Sequence, residues 1–225
     1  MIVSLSGVKF SGKDTVAEGL IRSHGFKRIG LADKLKDICA EVFDIERLHM
    51  DIPELKEVPL VSPREISITR IDHLLRTIAR DGFEFDYEKT FTEVCKNFQG
   101  KNLTSIRDVL QTIGTDVCRA YIKDDIWLAY VHDRIKNTND NIVITDARFA
   151  NERSFLLELG AVLILVKRPN FESGGSHISE NQLGLEEDYD VVINNASTIT
   201  AVQSDIALWY TLVKDAATSY KSRIK

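Results

Sequence analysis

Apolar runs alternate with amphipathic segments along most of the chain. The runs Ile2–Leu5, Asn141–Thr145 and Ala161–Lys167 are almost wholly apolar, which is typical of strands buried on both faces of a parallel sheet. Shorter strands are predicted at Phe26–Leu31 and Asp190–Ile193. Helical spacing of apolar residues predicts helices at 15–24, 32–43, 105–114, 151–159 and 199–220. The order of elements indicates an α/β fold, with a parallel sheet that carries helices on both faces.

One stretch, residues 44–104, interrupts this alternation. Three of the four prolines, Pro53, Pro59 and Pro63, lie in its first third, and no repeat or low-complexity tract occurs in the chain. With 225 residues and 44% hydrophobic content, the chain can bury a full core as one domain. We therefore predict a single domain over 1–225 with an insertion at 44–104, which we expect to lie over the edge of the active site, on the side of the acceptor.

The composition of the chain restricts the classes of molecule that it is expected to bind. The net charge is −5 with both signs interspersed, so there is no basic field to hold a nucleic-acid backbone, and the predicted partners are small molecules. The chain begins with a core strand and has no apolar run near the ~20 residues of a membrane span, so we expect a cytoplasmic protein without membrane contact. The cysteines Cys39, Cys95 and Cys118 lack metal-site spacing and are predicted to be buried, reduced thiols.

The most informative motif follows the first strand. Residues 7–15 read Gly-Val-Lys-Phe-Ser-Gly-Lys-Asp-Thr, a glycine-bounded turn between a strand and a helix. Such a turn points successive backbone N–H groups at one anion, and the helix dipole adds to the attraction. Mere turn chemistry is the alternative, but the lysine and the flanking elements favour phosphate binding. The residues of the motif that are predicted to contact phosphate are Gly7, Lys9, Ser11, Gly12, Lys13, Asp14 and Thr15.

This loop departs from the usual pattern at one position. The residue after Lys13, normally a hydroxyl that touches Mg²⁺, is Asp14, and the hydroxyl follows at Thr15. Asp14 in this place argues for a P-loop protein that moves a phosphoryl group onto a small molecule.

A second polar group follows the strand 141–145. Asp146 stands where P-loop proteins keep the acid that serves Mg²⁺, and Arg148 shares that edge and is predicted to contact a transferring phosphoryl group. The alternative for Asp146 is an N-cap of the next helix. Asp14, Thr15 and Asp146 are thus the candidate metal ligands.

The helix that begins after Ser105 carries a polar face. Arg107, Gln111 and Thr115 recur every four residues, opposite an apolar face, and Gly114 is predicted to end the helix. A guanidinium, a carboxamide and a hydroxyl in a row can bind a nucleotide, although a solvated polar stripe is the alternative. Arg119 and Trp127 follow, and Trp127 is either a core residue or a surface for base stacking.

Several blocks together resemble the bacteriophage deoxynucleoside monophosphate kinases, in the same order and over most of the chain except about 44–102. The blocks are the loop Gly7–Thr15, Leu31–Lys36, the group Arg107, Gln111, Gly114–Asp116 and Trp127, then Thr145–Arg148, Arg168–Pro169 and Ser176–Glu180. The resemblance implies a P-loop kinase fold and transfer of the γ-phosphoryl group of ATP, with Mg²⁺, to a deoxynucleoside monophosphate. Animal phosphomevalonate kinases carry a similar loop and remain an alternative.

The resemblance also implies roles for residues. Lys13 and the loop amides hold the donor phosphates, while Lys36 and Arg107 clamp the acceptor phosphate. The other acceptor candidates are Gln111, Thr115, Arg119, Trp127, Asn151 and Glu152, although Asn151 and Glu152 fit the capped first turn of a helix equally well. The segment 168–189, with a Gly174-Gly175 hinge, is interpreted as a lid that brings Arg168, and His177 unless it is a plain loop residue, onto the phosphates.

Two other classes stay open at this stage. A P-loop switch protein is disfavoured because the chain lacks an N-K-x-D guanine-reading motif, and a phosphate-binding module without turnover is the other. The sequence leaves open which bases are accepted and the oligomeric state, a homodimer included. If a phage encodes the protein, the host cytoplasm is the expected location.

Overall fold

A computed structural model of the chain describes residues 1–8, 10–147, 149–168, 183–195 and 210–218. The chain divides into two compact units, of which unit 1 comprises 1–31 with 131–225 and unit 2 comprises 32–130. The segment 44–104, predicted as an insertion, lies within unit 2. The predicted lid, 168–189, lies largely outside the described residues.

The described strands are β1 (Ile2–Ser6), β2 (Lys27–Ile29), β3 (Pro59–Glu65), β4 (Asn102–Ser105), β5 (Ile142–Ile144), β6 (Val162–Lys167) and β7 (Val191–Asn194). The α-helices are α1 (Lys13–His24), α2 (Asp33–Phe43), α3 (Pro53–Lys56), α4 (Ile68–Arg80), α5 (Tyr87–Phe98), α6 (Ile106–Gln111), α7 (Ile126–Lys136) and α8 (Ala150–Glu158). Short 3₁₀ helices occupy Arg47–Met50 and Glu186–Asp188, a π-helix occupies Thr112–Arg119, and residues 210–218 are helical.

Unit 1 is built on a five-stranded sheet in the order β2-β5-β1-β6-β7, and every strand pair in it is parallel. Val3 of β1 is fully buried between Val143 of β5 and Val162 of β6. Helix α1 packs against β1, β2 and β5, and α8 packs against β6. The α/β fold with a parallel sheet is therefore confirmed, because runs apolar on both faces can be buried only in this way.

The predicted boundaries hold to within a few residues, with one informative difference. The strand predicted at 26–31 is shortened to β2, because the backbone N–H of Leu31 donates to the side chain of Asp146 and so takes no part in the sheet. Phe26 instead joins the core of unit 1, together with Val16 and Leu20 of α1. Of the helix predicted at 199–220, the described part, 210–218, is helical.

Unit 2 is mainly helical and has its own hydrophobic core. Helix α2 packs against α4 and α6, α4 packs against α5, and β3 pairs with β4 as an antiparallel ribbon. Fully buried side chains from these elements, among them Phe43, Leu75 and Val109, form one cluster. A stretch in which no motif was recognised thus forms an organised layer, since burial of apolar side chains needs pattern and volume but no particular motif.

The helix after Ser105 differs from its prediction at the C-terminal end. Ser105 is its N-cap, as predicted, and its hydroxyl accepts the N–H of Asp108 at 3.1 Å. Gly114 does not end the helix, which continues beyond α6 as the π-helix Thr112–Arg119. The prediction was wrong because a glycine can also be placed for close packing: a Cβ on Gly114 would lie 2.5 Å from Cδ2 of Leu35.

Trp127 belongs to the core of unit 2. Only 9% of its surface is exposed, its ring stacks on Tyr130, and its indole N–H donates to the carbonyl of Gly114 at 3.0 Å. The structure therefore favours the core interpretation of Trp127 over base stacking. The indole provides a buried partner for a backbone carbonyl in the π-helical segment, where i→i+5 bonding is geometrically poorer than in an α-helix.

All three cysteines are free thiols, and none of them is fully exposed. Cys39 and Cys118 are buried and free, and burial raises the pKa of both thiols well above the usual range, which keeps them protonated. Cys95 is only half-buried, so the prediction of burial was wrong for this one residue. Among the described residues, no helix has the length and apolar character to cross a membrane.

Trp127→Phe is expected to lower the free energy of unfolding by about 1–3 kcal/mol, because the carbonyl of Gly114 loses its buried donor. Urea unfolding followed by fluorescence and circular dichroism measures the change. Unchanged stability would show that the indole hydrogen bond contributes nothing to unit 2.

Candidate active site

The phosphate-loop motif joins β1 to α1 at the carboxyl edge of the parallel sheet. Within it, the N–H of Ser11 donates to the carbonyl of Val8 at 3.1 Å, and Gly12 is the N-cap of α1 in a left-handed conformation with φ 97°. Lys13 is therefore the first residue of a twelve-residue helix. The position combines a helix N-terminus, a lysine and a tight turn, which is the arrangement that binds phosphate groups. Lys9 lies outside the described residues.

Both glycines of the loop are required by close packing. A Cβ on Gly7 would lie 2.5 Å from the carbonyl oxygen of Val166 in β6. A Cβ on Gly12 would lie 2.0 Å from Nδ2 of Asn195, and the positive φ of Gly12 disfavours other residues as well. The loop is thus held tightly against the ends of β6 and β7, and glycine is needed at both positions because a side chain would clash there.

Asp146 lies directly beyond β5 and ties two strand ends together. Its Oδ1 accepts the N–H of Leu31 at 2.8 Å, and the residue is half-buried. It is not the N-cap of α8, because that position is taken by Phe149. The alternative interpretation of Asp146 as a helix cap is therefore wrong. Nearby, the hydroxyl of Ser6 at the end of β1 donates to the carbonyl of Ala147 at 3.1 Å, while Arg148 lies outside the described residues.

The three candidate metal ligands are all oxygen donors. Thr15 and Asp146 are half-buried and Asp14 is exposed in the first turn of α1. A hydroxyl and one or two carboxylates beside a phosphate loop suit Mg²⁺, which is bound in such sites through few protein ligands and the substrate phosphates. Within the described part of the chain, no group of three or more His, Cys, Asp or Glu side chains is placed to hold a metal ion by itself.

Asn195, directly after β7, was missed by the sequence analysis. Its side-chain Nδ2 donates to the carbonyl of Ser11 inside the phosphate loop at 2.9 Å, and this contact is buried. Only the observation that an asparagine ends an apolar strand could have drawn attention to it. No local pattern links the two residues, which lie 184 positions apart.

The remaining predicted residues of unit 1 divide into two groups. Arg168 is exposed directly after β6, while His177 and residues 169–182 lie outside the described part. At the start of α8, Oε2 of Glu152 accepts the N–H of Phe149 at 2.9 Å, and the N–H of Glu152 donates to Oδ1 of Asn151 at 3.0 Å. Asn151 and Glu152 thus form the capped first turn of a helix, which was the alternative to a nucleotide contact.

In unit 2, Lys36 is the buried cation of an ionic cluster that extends to the surface. Its Nζ lies 2.9 Å from Oδ1 of Asp51 and 4.0 Å from Oδ1 of Asp33. Arg47 also contacts Asp51. Burial alone would raise the pKa of the Asp51 carboxyl, but hydrogen bonds and charge from Lys36 and Arg47 outweigh it and hold that pKa below its usual range. Lys36 is therefore a fixed cation with a carboxylate already in place.

Arg107 of α6 is paired in the same manner. Its Nε lies 2.5 Å from Oε1 of Glu57, which follows α3, and both side chains are partly exposed. Helix α3 packs against α6, which brings Glu57, at one end of α3, to Arg107. Asp51, before the other end of α3, contacts Lys36 of α2. Neither acid was predicted as a site residue, because both lie in the stretch where no motif was recognised.

The other acceptor candidates of unit 2 are not all alike. Gln111 is half-buried at the end of α6, and Thr115 is exposed within the π-helix. The wider π turn means that a spacing of four residues no longer fixes a shared face beyond Gln111. Arg119 is paired with Asp124 at 2.9 Å, and Trp127 is in the core.

Comparison with known proteins bears on the whole arrangement. Residues 64–206 match the family model described as deoxynucleotide monophosphate kinase. A putative deoxynucleotide monophosphate kinase of Acanthamoeba polyphaga mimivirus is 31% identical, over 92% of this chain and 94% of the relative. Deoxynucleotide monophosphate kinases of Escherichia phage RB69 and Enterobacteria phage T4 are 28% and 25% identical, each over 91% of this chain and over 97% and 96% of the relative.

These findings agree with the resemblance drawn from the motifs and do not favour the phosphomevalonate kinase or switch-protein alternatives. The match extends over most of the length of each relative, so it includes more than a shared phosphate loop. The residues that match the family model include α6, β5 before Asp146, and β7. The chain belongs to the deoxynucleotide monophosphate kinase family.

Proposed function

We propose that this chain transfers the γ-phosphoryl group of ATP to the phosphate of a deoxynucleoside monophosphate, releasing ADP and a deoxynucleoside diphosphate. The observation that carries the proposal is the glycine-bounded loop at the start of α1, with Lys13 as the first helical residue. Phosphoryl transfer of this kind needs little covalent chemistry from the protein, so binding and charge stabilisation account for most of the catalysis.

The donor end of the reaction belongs to unit 1. Lys13 and the loop amides bind the β- and γ-phosphates of ATP, and Arg168, with Arg148, adds positive charge near the group in transit. Asp14, Thr15 and Asp146 are the residues that would hold Mg²⁺, which when bound neutralises charge that develops on the phosphate oxygens. The segment 168–189, with His177, is the proposed lid that excludes water and so limits ATP hydrolysis.

The acceptor end belongs to unit 2. Arg107 and Lys36 bind the phosphate of the deoxynucleoside monophosphate, and Gln111, Thr115 and Arg119 are the candidates for contacts to its base and sugar. Since Lys36 and Arg107 are paired with Asp51 and Glu57, the incoming phosphate takes the place of a carboxylate on each cation. A phosphate monoester carries up to two negative charges and has three acceptor oxygens, so one such group can take the place of both carboxylates.

A coupled assay of ADP release, run with a panel of deoxynucleoside monophosphates and with phosphomevalonate, tests the proposal. ADP release that depends on a deoxynucleoside monophosphate is the expected result. Release that depends on phosphomevalonate would indicate the other kinase class. GTP hydrolysis without any acceptor would indicate a switch protein, and no turnover with any acceptor would indicate a binding module.

Lys13→Ala is expected to lower kcat/KM by at least about 10²-fold, because the transition state loses a cation aimed at its developing charge. The fold should be unaffected, since the side chain lies outside the cores of both units. Lys27→Ala, which removes an exposed lysine of the same unit, is the matched control and should behave like the parent. Near-parent activity of a folded Lys13→Ala protein would contradict the role of the loop.

Asp146→Asn is expected to abolish turnover with little change in thermal stability. The asparagine keeps an oxygen that can accept the N–H of Leu31, so this bond is retained while the charge is lost. Asp140→Asn, at a partly exposed acid of the same unit, is the control for a lost negative charge. An active but destabilised Asp146→Asn protein would show that the carboxylate serves only to join the strand ends.

Arg107 and Glu57 give a paired test of the acceptor site. Arg107→Lys is expected to raise the KM for the deoxynucleoside monophosphate, because an ammonium cannot reproduce a bidentate guanidinium contact, while the KM for ATP hardly changes. Glu57→Gln should act in the opposite direction and lower the same KM, by no more than about fivefold, since a partly exposed ion pair is worth ~0–1 kcal/mol. Steady-state kinetics with each substrate varied in turn measures both effects. If only the KM for ATP changed, α6 would be assigned to the binding site of the phosphoryl donor.

A further inference from the structure

Asn195 makes a buried contact with the centre of the phosphate loop. Its Nδ2 donates to the carbonyl oxygen of Ser11 at 2.9 Å, and its own backbone N–H donates to the carbonyl of Lys167 at 2.7 Å. The backbone bond continues the pairing of β7 with β6 and so fixes where the side chain starts. The carboxamide therefore reaches the loop from a rigid position in the sheet.

The contact determines the direction of a backbone N–H group. The carbonyl of Ser11 and the N–H of Gly12 belong to one peptide unit, and in a trans peptide these two groups point in opposite directions. Asn195 holds the carbonyl on the side of β7, so the N–H of Gly12 is directed away from β7. This N–H stands at the N-cap of α1, next to Lys13, where a phosphate is expected.

The fit between the carboxamide and the loop is close. A Cβ on Gly12 would lie only 2.0 Å from Nδ2 of Asn195, so the amide lies directly against the Cα of Gly12. The left-handed conformation of Gly12, φ 97° and ψ 9°, and the amide contact therefore depend on each other. A rotated peptide would lose the hydrogen bond.

The arrangement is poorly explained as a device for stability. Within the described part of the chain, Oδ1 of Asn195 and Oγ of Ser11 are buried without a hydrogen-bond partner. Each unsatisfied buried group costs about 1–3 kcal/mol, which is as much as one hydrogen bond returns. Polar groups retained at such a cost are expected where they serve a site.

We infer that Asn195 is a positioning residue for ATP binding: its carboxamide orients the Ser11–Gly12 peptide so that the N–H of Gly12 faces the donor phosphates. This inference rests on the proposed function and adds a residue to its donor site. Asn195 acts through the loop backbone and does not itself touch the nucleotide. Loss of the Asn195 side chain should therefore weaken the binding of ATP and leave the binding of the acceptor unchanged.

The test compares Asn195→Asp with Asn194→Asp. The first variant keeps the shape but replaces the N–H donor with a carboxylate oxygen that faces a carbonyl, and the second adds the same charge at the exposed neighbouring residue. Binding of ATP is measured by calorimetry, steady-state kinetics are measured with each substrate varied, and thermal unfolding is followed. Asn195→Ala, which removes the donor without adding charge, is measured in parallel.

Asn195→Asp and Asn195→Ala are expected to weaken ATP binding at least about tenfold and to raise the KM for ATP in step. The KM for the deoxynucleoside monophosphate should stay within about twofold of the parent, and Asn194→Asp should match the parent throughout. This selective change in one KM is a result that general destabilisation would not produce, because loss of folded protein lowers kcat and leaves both KM values in place.

Two results would overturn the inference. One is unchanged ATP affinity in both Asn195 variants, with or without a lower melting temperature, which would make the residue purely structural. The other is equal weakening by Asn194→Asp and Asn195→Asp together with parent-like binding by Asn195→Ala, which would assign the effect to charge alone. A parent protein that binds ATP but phosphorylates no deoxynucleoside monophosphate would contradict the proposed function, while the binding comparison would still decide the role of Asn195.

Discussion

The carboxyl edge of the sheet, where the phosphate loop lies, depends on one constraint: backbone polar groups buried there must find hydrogen-bond partners. Three side chains of unit 1 supply such partners. Ser6 donates to the carbonyl of Ala147, Asp146 accepts the N–H of Leu31, and Asn195 donates to the carbonyl of Ser11 inside the loop. Each contact joins the ends of different segments at the carboxyl edge of the sheet. Because a buried unpaired carbonyl or N–H is costly, these three side chains restrict how the edge can be arranged.

Unit 2 uses a similar solution for a different purpose. The π-helix Thr112–Arg119 is geometrically poorer than an α-helix, and it is stabilised by the indole of Trp127 on the carbonyl of Gly114 and by Leu35 against the bare Cα of Gly114. Of the polar residues proposed for the acceptor, Arg107 and Gln111 lie on α6, and Thr115 and Arg119 lie on this π-helix, which Trp127 supports from within. A residue that resembles a base-stacking surface in the motif is therefore a structural support in the fold.

Much of the fold could be predicted from sequence because the apolar runs of β1, β5 and β6 leave no other way to be buried. The turn between β1 and α1 and the place of Asp146 after β5 could be predicted because their structure is local: a turn, a helix start and a strand end each lie within a few residues. Asp51, Glu57 and Asn195 could not be predicted. Their partners Lys36, Arg107 and Ser11 are brought to them only by tertiary packing, and a lone acid or amide in the sequence gives no sign of what it will contact.

The asparagine contact also has a consequence for how the protein is made. The loop lies within the first fifteen residues, yet Asn195, whose side chain orients it, follows Ser11 by 184 positions. The hydrogen bond from Ser6 to Ala147 spans 141 positions. Contacts of such sequence separation form late, because the intervening chain must first be ordered. A nascent chain that has emerged only as far as β6 carries the complete loop sequence without its last restraint. The growing chain should therefore gain its full affinity for nucleotide only near the end of synthesis, when β7 joins the sheet.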